Sequence, residues 1–167
     1  MPRITHSKEP LPKLFHTHPA GKGIVSEALL KISNHSRLRA KLLVFDTNRS
    51  MGHFYTHALD KPGAVCPKTR GICSSLTYEL VKFHPDGRET SRLVVDPKYF
   101  CLIGLLAGHL TTEIITHESV HAAFAYKARM RGRVWSQEHE LEEEEICYPA
   151  GVIARLVTQH LKTENLI

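Results

Sequence analysis

The pentapeptide His117-Glu118-Ser119-Val120-His121 constrains this chain more than any other feature. Histidines four residues apart stand over one another on an α-helix, where positions i and i+4 share a face. The flanks agree with a helix. Thr111 and Thr112 are cap-forming residues, Glu113 follows in the first turn, and neither proline nor glycine intervenes before Gly132. The spacing therefore predicts a helix from about 113 to 130. Ala122, Ala123, Ala125 and Ala128 let a neighbouring element pack closely along it.

The rest of the chain must supply a scaffold for that helix. A chain of 167 residues is one domain by length and hides a substantial core. A hydrophobic fraction of 42% with 23% charge excludes collagen, coiled coil and wholesale disorder. Residues 1–23 carry four of the nine prolines and read as an extended arm, leaving 24–167 as a single domain. Ile24, Val25, Ala28, Leu29 and Ile32 have helical spacing and predict a short amphipathic helix. Leu42-Leu43-Val44-Phe45 predicts a strand. Residues 52–103 read as a β-meander, with a weak strand at 53–56, an alternating strand at 77–83, a turn at Pro85-Asp86-Gly87 and a return strand at 90–96. The apolar segment 100–110 reads as a further strand or a buried loop, and a last helix spans about 138–162, with Pro149 and Gly151 bending or interrupting it. The fold class is α+β: a small antiparallel sheet or meander packed on two or three helices.

Charge and cysteine usage narrow the setting. The net charge of +5 is mild, and the densest basic stretch is Lys127, Arg129, Arg131 and Arg133. Basic residues at every second position describe a helix end and loop, which is solvated surface or a contact for an acidic partner or a nucleic-acid backbone. Cys66, Cys73, Cys101 and Cys147 include no CxxC pair, so they read as free thiols, with Cys101 and Cys147 in apolar company. No signal-peptide h-region precedes residue 15, and the longest apolar run, 100–107, is far short of the ~20 residues of a membrane span. A cytoplasmic protein with no membrane partner is expected; oligomeric state is not legible.

On one helix face His117 and His121 can reach a single metal ion. Glu118 then sits beside the ion's open position, where it can take a proton from water and hand it to a leaving group. Two histidines and a carboxylate suit Zn²⁺ best. For the third ligand, no histidine follows His121 until His139, whereas Glu142, Glu143, Glu144 and Glu145 open the next helix. Two antiparallel helices would bring that run opposite the histidines. Glu144 shares a helical face with Cys147, Tyr148 and Gly151; Glu145 shares one with Leu141, Tyr148 and Val152. Tyr148, His109 and His139 are candidate donors to a developing oxyanion.

HESVHAAFAY followed by EEEEICYPAG resembles small phage and bacterial zinc metallopeptidases of the gluzincin type, and more distantly the ImmA/IrrE-type metallopeptidases. The resemblance covers residues 111–157. It implies a zincin-like site between the last two helices, with Glu144 at the third-ligand position, beside His117 and His121. It also implies Glu118 as catalytic base, and a protein or peptide substrate that pairs with a strand next to the site helix; segment 100–110 is the candidate. His16 and His18 with Ser26 resemble part of a JAMM signature, but Leu29 stands where that signature needs an aspartate. A second reading of the chain is a zinc-stabilised regulatory or binding module, contacting a host protein or nucleic acid through the basic stretch.

Overall fold

A computed structural model describes residues 23–33, 37–59, 61–132 and 143–167, without the side chains of 78–80 and 143–144. The order is β1 (Ile24–Leu30), β2 (Arg39–Phe45), α1 (Asn48–Ala58), β3 (Gly71–Ser75), β4 (Thr77–Phe83), β5 (Glu89–Val95), β6 (Tyr99–Leu106), α2 (Thr112–Met130) and α3 (Glu143–Thr163). The extended-arm reading of the N-terminus falls outside the described residues, apart from Gly23.

β6 carries the longest apolar run of the chain, 100–107, and it pairs in parallel with the Leu42–Phe45 run of β2 at the centre of a sheet ordered β1-β2-β6-β3. Strands apolar on every residue suit a sheet covered on both faces. Alternation sorts their side chains. Ala40, Leu42, Val44, Cys101, Ile103 and Leu105 share one core with α2 and α3, while Leu43, Phe45 and Leu102 share the other with Met51 and Tyr55 of α1. The architecture is α+β, with three helices on a small mixed sheet.

The sheet is thus not the antiparallel meander that the sequence suggests. α1 lies in the long crossover from β2 to β6, and such a crossover is what allows their parallel pairing. The β4–β5 hairpin forms as expected but stands apart as a two-stranded sheet.

Two elements change type. Residues 24–30 form β1, not a helix: Ser26 and Leu30 are buried and Ala28 half-buried, while Val25, Glu27 and Leu29 are exposed, a period of two imposed by pairing with β2. Residues 53–56 belong to α1, not to a strand. Thr47 caps that helix, accepting from the Ser50 N–H at 3.1 Å, and Met51, Tyr55, Ala58 and Leu59 bury one helical stripe.

α2 and α3 match the expected helices closely where described; the earlier start of the last helix, from 138, falls outside the described residues. α3 runs on through Pro149 and Gly151. Pro149 withholds the N–H that would meet the Glu145 carbonyl, a defect costing about 3 kcal/mol in an exposed helix. Burial of Ile146, Pro149, Ile153, Val157 and Leu161 offsets it.

Gly104 marks the tightest point between sheet and α1. A Cβ there would lie 2.9 Å from the Tyr55 hydroxyl oxygen and 3.3 Å from Ile72 Cγ2. Tyr55 is fully buried and donates to the Ile72 carbonyl at 3.3 Å. Gly104→Ala is expected to destabilise the fold by about 1–3 kcal/mol, read as a lowered melting temperature; an unchanged melt would show that α1 packs more loosely than this.

Candidate functional site

α2 is set by its own N-terminus and by what it covers. Thr111 caps it, accepting from the Ile114 N–H at 3.4 Å, and Glu113 lies in the first turn, where a carboxylate is favourable. Ile115, Ser119, Ala122, Ala123 and Ala125 face the sheet and α3. Ser119 is satisfied internally, donating to the Ile115 carbonyl at 2.7 Å. It is part of the core.

His117 and His121 lie on the outer side of this helix, His117 exposed and His121 half-buried. Their Nε2 atoms are 3.1 Å apart, and the rings meet edge to face at 4.6 Å between centroids. Two nitrogens bonding to one zinc ion at ~2.0–2.1 Å stand about this far apart. Partial burial lowers the His121 pKa, and the neighbouring His117 lowers it further. Both effects favour the neutral imidazole, the form that ligates a metal.

Glu118 is buried in the seam between α2 and β3, where it is only 5% exposed. Burial pushes its carboxyl up to about 7, while the Cys73 backbone N–H donates to it and pulls it back down. Its Oε2 is buried with no hydrogen-bond partner among the described residues. The fit is close: a Cβ on Gly71 would lie 2.8 Å from Glu118 Cγ and 2.9 Å from Oε1. Glycine at 71 is therefore what lets β3 approach the carboxylate.

β3 is the edge strand beside the site. The expectation that 100–110 would be that edge is corrected: β6 is flanked on both sides, by β2 and β3. Arg70 and Leu76 bond towards β6 through Leu106 and Phe100. Antiparallel alternation then turns the backbone groups of Gly71, Cys73 and Ser75 outward. No signal in the sequence marks Gly71 or the Cys73 N–H, because a backbone donor has no residue type.

The glutamate run is placed less simply. Among the described residues no third histidine, cysteine, aspartate or glutamate joins the pair. The Glu145 carboxylate pairs with Arg131 at the end of α2. Arg131 lies ten residues beyond His121, about 15 Å along the helix. The Glu144 backbone belongs to the first turn of α3, and its side chain, like all of Glu142 and His139, lies outside the described residues.

Tyr148 is exposed. The core-facing stripe of α3 leaves Cys147 exposed and Tyr148 at 74% exposure on the outer side. There Tyr148 shares a groove with Tyr126, which follows His117 by nine residues and so lies on the opposite face of α2. His109 sits exposed in the turn after β6, bonded through its N–H to the Leu106 carbonyl, and makes no contact with the pair. Of the residues that the sequence singles out, the structure brings together His117 and His121.

Compared with family models, curated proteins and solved structures, the chain matches none.

The buried carboxyl makes stability pH-dependent in the metal-free protein. The folded chain keeps a proton on Glu118 up to about pH 7, whereas an ordinary glutamate releases it near 4.5. Stability therefore falls as pH rises between those values, by about 3 kcal/mol in all, and levels off above. Glu118→Gln should abolish that slope in chelator-treated protein, measured by urea unfolding at pH 5 and pH 8. An equal slope in the variant would place the titrating group elsewhere.

Proposed function

We propose that this chain is a zinc-dependent hydrolase of amide bonds, with His117 and His121 as metal ligands and Glu118 as the base that activates water. One observation carries the reading: the two Nε2 atoms converge at 3.1 Å, and the residue that follows His117 is a buried carboxylate with an oxygen unpartnered among the described residues. A divalent ion held by the pair supplies a Lewis acid and lowers the pKa of water in its open position to ~7. Glu118 Oε2 is the acceptor for the proton of the attacking water. A carboxyl poised near 7 can pass that proton to the leaving amine afterwards. The outward groups of β3 offer an extended peptide a strand to pair with, which fits a protein or peptide substrate.

The resemblance assigns the third ligand to Glu144. The ion pair of Glu145 with Arg131 supports that choice over Glu145. A purely structural zinc is less well supported, because structural sites are closed by four protein ligands, whereas His117 is exposed. The binding-module reading loses its basic stripe. Arg129 is spent on the Asp96 carbonyl at 2.6 Å and on Thr77, and Arg131 on Glu145; Arg133 lies outside the described residues. Among the described residues no helix is long and apolar enough to cross a membrane.

Elemental analysis should find one zinc per wild-type chain, lost in His121→Ala, weakened in Glu144→Ala and retained in Glu145→Ala. Glu118→Gln should keep the metal and lower peptide-bond hydrolysis by about 10²–10⁴-fold. Folded wild type that takes up no metal, or a Glu118→Gln protein as active as wild type, would sink the proposal.

A further inference from the structure

Where the end of β1, α2 and α3 meet, on the side of α2 away from the histidine pair, the surface folds into a groove of about 540 Å³. Its lining includes Ile32 and Pro149, both buried, and the half-buried Val152. Three cations join them: Lys31 just after β1, Lys127 on α2 and Arg155 on α3. None of the three has an ion-pair partner among the described residues. The single carboxylate in the lining, Glu145, is already paired with Arg131. Tyr126 and Tyr148 complete the wall, and Tyr148 presents 74% of its side chain to solvent.

Cations brought to one cavity by three separate elements repel one another, and a multiply charged anion relieves that repulsion. The guanidinium of Arg155 matches the oxygens of a phosphate group in particular. An apolar patch with an exposed tyrosine offers a planar ring a surface to lie on. The volume is that of an ordinary small-molecule site, about 300–1,000 Å³. We infer that this groove binds a small organic phosphate with a planar ring, of the nucleotide class, its charged oxygens meeting Lys31, Lys127 and Arg155. A nucleic-acid strand is disfavoured. It needs a basic track extending beyond the groove, and the neighbouring Arg129 and Arg131 are engaged within the protein. The inference is independent of the hydrolase reading.

The test is calorimetric titration of the full chain with ATP, in chelator and without magnesium, so that the histidine pair takes no part. Saturable one-to-one binding is expected, weakened about three- to tenfold by Lys127→Ala or Arg155→Ala and further in the double variant. Arg155 is exposed and Lys127 half-buried on the helix surface, and matched melting curves verify that each variant folds. Adenosine and inorganic triphosphate should each bind more weakly than ATP. Absent binding, binding unaffected by these substitutions, or triphosphate binding as tight as ATP overturns the inference. So does an oligonucleotide that binds through the same residues more tightly than ATP, which would reassign the groove to nucleic acid.

Discussion

The run Leu42–Phe45 of β2 and nearly all of β6 are apolar and buried on consecutive residues, so both faces must be covered there, and the layers of the molecule follow from that requirement. α1 covers one face through Met51 and Tyr55. α2 and α3 cover the other through Ile115, Ala122, Ile153 and Val157. Because α2 follows β6 after a short turn, it has to lie back across the sheet from which it came. That return path carries the His117 to His121 segment over β3 and delivers Glu118 into the seam. The parallel pair at the centre thus positions the chemistry at the edge.

Glu118 shows how a single carboxylate can have two opposed surroundings. Burial alone would favour its neutral form, and the Cys73 N–H works against this by stabilising the charge. The balance leaves the carboxyl well above the ordinary glutamate range. The balance depends on β3 coming close, which the missing side chain at Gly71 permits. Edge strand and helix are therefore one packing unit, although some forty residues separate them in the chain.

α3 divides the remaining surface by its two sides. Its inner stripe is core, and its outer side carries Cys147, Tyr148 and Arg155 away from the histidines. Cys147, Tyr148 and Gly151 share a face as helical geometry requires, and that face is solvated. Which side of α3 turns inward was settled by burial of Ile146, Ile153 and Leu161, residues whose spacing is as regular as that of the outer set.

By itself the sequence determined the α2 helix, with its cap, its stop and the shared face of His117 and His121, because these depend on local spacing and local backbone chemistry. It also determined the β4–β5 hairpin, through alternation and a turn at Pro85-Asp86-Gly87. Only the tertiary structure decided that 24–30 is a strand and 53–56 part of a helix, since short apolar segments suit either until a partner buries them. It likewise decided that β2 and β6 run parallel, that β3 is the edge, and that Glu145 serves Arg131. These outcomes rest on contacts between residues distant in the chain, and no local pattern encodes which distant surface a segment will meet.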